Sequence, residues 1–436
     1  MKKLISITLR SIYYLFPKIF REQYIESIAF YRTCLSNLVC RDNNNSDNLL
    51  DVQLVSEPNL LDDNFELIAH ITDRYSKVNA PRLHVDNQEC KRSPLEGQLP
   101  DVKVIRLSGV NILGSTDAII SGNKMYHQEL TLMGATHDLK RPDIFSTSDG
   151  INAESRQYIV QTYGDKLTVE GCAISLLKEH SVNYYHWLTE LLPKLVETIN
   201  SLDENNHNLT ILIDEKMPEQ CVGLIDLILK GIRRIKYTIV RVKLGQLVFC
   251  HKLIYCTPLW TSLDNTRFLP NPKKEFFVSV DCLRLVKERI SLAIKSNTTI
   301  IKNKKVYLQR QNNKLRKITN VLELERMLYK QGFDFVDPGS LDFREQYSLF
   351  SQAEIIVGAS GASFTNLLFM KDGSKGISLY PSAQSTNYYV FQPLADVSNV
   401  EFIHFLTTPD DDSNSVHGDA KVNVKELEGL LEKTYD

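Results

Sequence analysis

His186 and Glu190 stand four residues apart in the run "HSVNYYHWLTELLPKL". On a helix that spacing puts both side chains on one face. An imidazole with a carboxylate beside it is a base whose strength its neighbour tunes. The plainer alternative is a partly buried histidine held by ordinary hydrogen bonds. Leu188, Leu191, Leu192 and Leu195 cover the buried side, and Tyr185 and Trp187 suit either a core or a stacking surface for a sugar ring. His180 lies six residues before His186, a poor spacing for a shared metal.

A second stretch strips the chain of side chains. Residues 357–366 read "VGASGASFTN", directly after the apolar Ile355–Val357. In an open parallel sheet, ligands bind beyond the carboxyl ends of the strands. The following helix offers free N–H groups and the positive end of its dipole there. Gly358 and Gly361 let backbone approach a ligand closely. Ser360, Ser363 and Thr365 add hydroxyls. The fitting guest is an anion, most often a phosphate. By spacing alone the segment reads equally well as a tight turn, and it is neither GxGxxG nor a Lys-bearing phosphate loop.

Cations gather in a third stretch, "VYLQRQNNKLRKITN". Arg310 closes a strand, and Lys314 and Arg316 follow in the loop before a helix. Strand-end cations lie on the same rim as the glycine-rich turn, where two arginines and a lysine can grip a diphosphate. Standing alone, the cluster would read as a solvated charge run. Tyr380, Pro381 and "QSTNYY" end the next strand, where a base or sugar would rest. A diphosphate site in one half and a His–carboxylate helix in the other suit group transfer from an activated donor.

Alternating elements must position these groups. From 185 onward helix-like and strand-like runs alternate, which predicts parallel sheets with crossover helices. In the last third, Asn320 with Glu323 and Asp342 with Glu345 form two capping-box patterns. "SFTNLLFM" starts a helix, and Val424, Leu427, Leu430 and Leu431 share one face of a final helix. Residues 80–170 read as a broken β-meander. The expected division is a helical segment and connector over 1–65, an acceptor-side domain over 66–265, a nucleotide-binding domain over 276–420 and a helix over 421–436. Residues 261–275 form the linker.

Composition fixes the class. The chain has 436 residues, 43% hydrophobic and 24% charged, with net charge −2. That is too long for one ordinary core and too neutral for nucleic-acid binding. The eight cysteines, at 34, 40, 90, 172, 221, 250, 256 and 282, show no ligand spacing and read as free thiols of a reducing compartment. Residues 1–30 are basic and apolar, but Arg10, Lys18 and Arg21 keep any run below the ~20 residues of a membrane span. No cleavage site is evident. The segment fits peripheral membrane contact or packing on the body equally. Cytoplasmic placement, at most peripheral to the inner membrane face, is the expectation.

Three runs in order, "NYYHWLTELLPKL" at 183–195, "VYLQR…RKITN" at 306–320 and "FREQ…AEIIVGASGASFTNLLF" at 343–369, resemble glycosyltransferase family 61. The resemblance covers roughly residues 170–385. It implies a GT-B architecture, with two Rossmann-like halves facing a cleft. It also implies a nucleotide-sugar donor, most often a UDP-sugar, and inversion at the anomeric carbon. By that match Arg310, Arg316, Gly361, Ala362 and the Thr365–Asn366 helix start hold the nucleotide diphosphate. His186 and Glu190 form the motif's polar pair, either one being the base, with Asn183, Tyr185 and Trp187 on the acceptor side. Many members carry His where Ser360 stands. A hydroxyl can donate to phosphate but carries no charge, which shifts leaving-group stabilisation onto Arg310 and Lys314.

The expected reaction is a metal-independent transfer, because no D-x-D ends a strand and the acidic run at 409–415 reads as a loop. No cofactor beyond the donor is implied. The acceptor would be a glycan or lipid-linked saccharide, in surface polysaccharide synthesis. The alternatives are an inactive nucleotide- or glycan-binding scaffold in a polysaccharide-assembly complex, kept open by Ser360, and a glycoside hydrolase, for which no convincing carboxylate pair is present.

Overall fold

A computed structural model describes residues 49–133, 143–146, 157–205, 207–259, 261–262, 276–294, 304–310, 316–382, 386–410 and 418–433. The basic segment 1–30, most of the 261–275 linker, Lys314 and the acidic run after Asp410 lie outside them. The fold is mixed α/β, built on two large sheets compatible with Rossmann-like folds.

The second sheet is the more regular. Five parallel strands, Lys305–Leu308, Asp334–Val336, Ile355–Ala359, Lys375–Pro381 and Glu401–Pro409, stand in the spatial order 2-1-3-4-5. Their crossovers are the helices Val321–Lys330, Phe343–Gln352 and Gln392–Val397 and the 3₁₀ helix Ala362–Phe369. Ile355, Ile356 and Val357 are buried on both faces, which explains the unbroken apolar run. This strand order reverses direction between the 305–308 and 355–359 strands, and a doubly wound sheet binds ligands at that point.

The first sheet has eleven strands. Four of them, Leu167–Ser175, His207–Asp214, Ile235–Val242 and Leu247–Cys256, pair in parallel. The long strand Val102–Leu113 runs antiparallel to Leu247–Cys256 and leads into a meander of short strands, as the broken pattern over 80–170 predicts.

Several local expectations change. The hairpin Arg82–Val85/Gln88–Lys91, expected with the first half, joins the second sheet beside Glu401–Pro409. Its two turn residues, Asp86 and Asn87, both take positive φ, the geometry that short polar residues allow in a two-residue hairpin. The capping box forms at Asp342–Glu345. It does not form at Asn320, whose side-chain oxygen accepts instead from Val422 N at 3.0 Å. The segment after the anion turn is 3₁₀ rather than α.

The two halves share one continuous core. It runs from Trp187, Leu191 and Leu195 through Leu283, Val286 and Ile290 to Phe350, Phe364 and Leu394. Among the described residues the six cysteines are free, and no helix is long and apolar enough to cross a membrane.

Candidate functional site

The 184–201 helix does not run evenly. Tyr184–His186 is α, Trp187–Leu191 is a π-turn, and Leu192–Ser201 is α again. Pro193 lacks an N–H, so the i−4 bond to Thr189 cannot form and a wider turn absorbs the break. The Thr189 hydroxyl donates to another carbonyl of this turn, Tyr185 O, at 2.7 Å.

His186 and Glu190 meet across this turn, Nδ1 to Oε1 at 2.7 Å. The other Glu190 oxygen pairs with Lys178 Nζ. Burial alone would raise the Glu190 carboxyl, but Lys178 and His186 outweigh it and hold it at about 2. Glu190 is therefore a fixed anion and a weak base. With Nδ1 occupied by Glu190, His186 has Nε2 for proton transfer. Its side chain keeps 19% exposure, whereas Glu190 keeps 3%. The ring of His180 lies 5.9 Å from that of His186.

The acceptor-side expectation is corrected. Trp187 is fully buried and donates Nε1–H to Cys221 O at 2.9 Å. Tyr185 is buried too, its hydroxyl donating to Val390 O at 3.2 Å. Both rings belong to the core shared by the two halves. Asn183 is exposed, but its side chain caps the helix by accepting from Tyr185 N at 2.9 Å.

On the second sheet, the glycine-rich turn is shaped around arginine. A β-carbon on Gly361 would fall 1.2 Å from Arg310 Nη2. Gly361 has φ 168°, an extended backbone, so the glycine answers to space rather than to conformation. Gly358 serves a different end: a β-carbon there would meet Leu308 Cβ at 2.8 Å, where the two central strands lie against each other. Arg316 sits at φ 56° and donates Nη1–H to Ser360 O at 3.0 Å. Burial, and then the neighbouring Arg316, push Arg310 down to about 10. Among the described residues no carboxylate pairs with Arg310.

Phe364 N makes the first intrahelical bond, to Gly361 O at 2.9 Å, so the N–H groups of Gly361, Ala362 and Ser363 precede the ladder. Ala362 and Ser363 are partly exposed, whereas Ser360 and Thr365 are fully buried. Among the described residues the Thr365 hydroxyl has no hydrogen-bond partner. Ser360 lies beside Tyr380, which Arg316 also faces. Asn366 belongs to the junction of the halves: its oxygen accepts from Tyr184 OH at 2.7 Å and its amide donates to Gln346 at 3.0 Å. That bond ties the start of the His186 helix to the helix leaving the anion turn.

Reasoning from sequence missed Lys178, the counter-charge of Glu190. The signal was the polar triplet Lys178–Glu179–His180 inside an apolar run just before the motif. It also missed Asp117 and His127, more than 50 residues upstream, which no local pattern could connect to the dyad.

The family model described as Glycosyltransferase 61 matches residues 184–377, which takes in the dyad, both arginines and the glycine-rich turn. No curated protein matches the chain.

Proposed function

The matched region belongs to glycosyltransferase family 61 and the protein is a glycosyltransferase; from that premise we propose an inverting, metal-independent transfer from a nucleoside-diphosphate sugar to a saccharide acceptor. The observation that carries this reading is the Arg310 guanidinium lodged against Gly361 with Arg316 beside it. Two half-buried guanidinium groups side by side, one of them held down in pKa by burial and by the other, favour an anion between them. They stand at the reversal point of the sheet, next to unladdered N–H groups, where a diphosphate is the natural complement.

In the proposed reaction His186 Nε2 takes the proton of an acceptor hydroxyl. The acceptor oxygen bonds to the anomeric carbon as the bond from that carbon to the β-phosphate oxygen breaks on the opposite face. Attack from the opposite face inverts the configuration. The positive charge on His186 is balanced by Glu190, which stays ionised throughout. Negative charge grows on the leaving diphosphate, where Arg310, Arg316 and the N–H groups of 361–363 receive it. Each such preorganised donor is typically worth ~3–4 kcal/mol of barrier. Lys314 is assigned to the same anion. The GT-B arrangement, a UDP-linked donor, a lipid-linked or glycan acceptor in surface polysaccharide synthesis, and cytoplasmic placement complete the reading; the thiols left free among the described residues fit that compartment.

Calorimetry with UDP, GDP, ADP and CDP, followed by turnover of the matching nucleotide-sugars, tests it. The expected result is one tightly bound diphosphate, lost in Arg310→Ala while the fold persists. Binding of none of them, or wild-type turnover in that variant, overturns the assignment.

A further inference from the structure

Upstream of the matched region, residues 117–128 reach the catalytic half with a buried polar group of their own. His127 is fully buried between two carboxylates: Nε2 lies 3.1 Å from Glu179 Oε1 and Nδ1 lies 3.3 Å from Asp117 Oδ1. Asp117 and Glu179 are themselves 4% and 8% exposed. Asp117 is anchored through Oδ2, which accepts from Gln128 N at 3.1 Å, and the Gln128 side chain accepts from Lys194 Nζ at 3.4 Å.

These contacts reach residues on either side of the dyad along the chain, Glu179 before it and Lys194 after it. Glu179 lies between Lys178, which pairs with Glu190, and His180, whose ring faces His186. Lys194 lies one turn beyond Glu190 on the same helix. Within the segment 176–183, Leu176 N donates to Leu212 O at 2.9 Å, Ser181 N to Lys178 O at 3.1 Å and Asn183 N to His180 O at 2.8 Å.

Three ligand-type residues in close contact also suggest a metal. Each carboxylate instead approaches its own nitrogen of the ring, so the ring bridges the two acids. Lys194 also stands close enough to Asp117 to feel its charge, and would repel a second cation there. The arrangement instead fixes a ring and, through it, a loop.

We propose that Asp117, His127 and Glu179 form a clamp of positioning residues that holds Lys178 and His180 against the Glu190–His186 dyad. The β-meander thereby becomes part of the catalytic machinery rather than a mere extension of the sheet. The proposal rests on the dyad's assignment as the base.

Its test is steady-state kinetics on Glu179→Gln and His127→Gln beside wild type, with donor binding by calorimetry and folding by circular dichroism. The clamp predicts a kcat at least ~10-fold lower in Glu179→Gln with donor Kd unchanged within twofold, because the diphosphate site is on the other sheet. His127→Gln should follow the same split, and Asp117→Asn, which keeps the shape, should retain more activity than either. Should His127→Gln fail to fold, Glu179→Gln decides alone. A folded Glu179→Gln with wild-type kcat overturns the clamp and leaves the reaction intact. Loss of turnover on metal stripping, restored by zinc or manganese in wild type but not in Glu179→Gln, would make the cluster a metal site and overturn the clamp also. A wild type that transfers no sugar overturns the underlying reading and the clamp's catalytic role with it.

Discussion

Arg310 occupies the space that any side chain at position 361 would need: its Nη2 lies 1.2 Å from where a β-carbon would stand. The two positions are 51 residues apart and lie just beyond the C-terminal ends of neighbouring central strands of one sheet. The glycine is thus required by a guanidinium.

Gly361→Ala should therefore displace Arg310 without straining the backbone, since φ at 361 is open to any residue. Losing a charge-assisted hydrogen bond costs about 1.5–3 kcal/mol, or roughly 10- to 150-fold in donor affinity. Calorimetry should show that loss, with a thermal midpoint close to wild type. Undiminished affinity would detach Arg310 from the donor.

Glu190→Gln should lower kcat by ~100-fold or more, as expected when a general base loses its orienting anion. It should also change acid stability. The carboxyl titrates at about 2 in the fold against 4.5 ordinarily, because Lys178 and His186 outweigh burial. A depressed carboxyl adds stability that is full above pH ~4.5 and disappears as pH falls toward ~2, about 3 kcal/mol in all. Urea unfolding at a series of pH values should show the gap between wild type and variant closing across that window. A gap independent of pH would mean that Glu190 is not held down.

Tyr184→Phe should leave the buried Asn366 oxygen without its donor, at a cost of about 1–3 kcal/mol. Because this bond joins the two halves, amide exchange should rise on both the 184–201 and the 362–369 helices. Exchange confined to one of them would show that the bond does not couple the halves.

Trp187→Ala should cost about 3–5 kcal/mol by denaturant melt, as a fully buried ring in the shared core. Trp187→Phe should keep acceptor KM within twofold of wild type. A large rise in acceptor KM in this folded variant would restore the ring to the acceptor site.

Much of the second sheet was legible in advance. The apolar run Ile355–Val357 and the capping box at Asp342 follow local rules, and the structure obeys them. The Asn320 box fails because Val422, from a distant part of the chain, competes for the same side chain. Trp187 misleads for a similar reason: an aromatic ring suits a core or a sugar, and only the neighbouring helices decide which.

By itself the sequence determined which residues share a helical face, where a strand gives way to bare backbone, and that cations follow a strand end. Those are consequences of periodicity and side-chain type, and they act over a few residues. Tertiary structure decided the rest. It brought Lys178 to Glu190, set Arg310 into the space left by Gly361, and carried Asp117 and His127 under the loop of Glu179. It also spent Trp187, Tyr185 and Asn366 on the junction of the two halves. Charge balance and close packing act through space, between segments whose separation along the chain carries no trace of their contact.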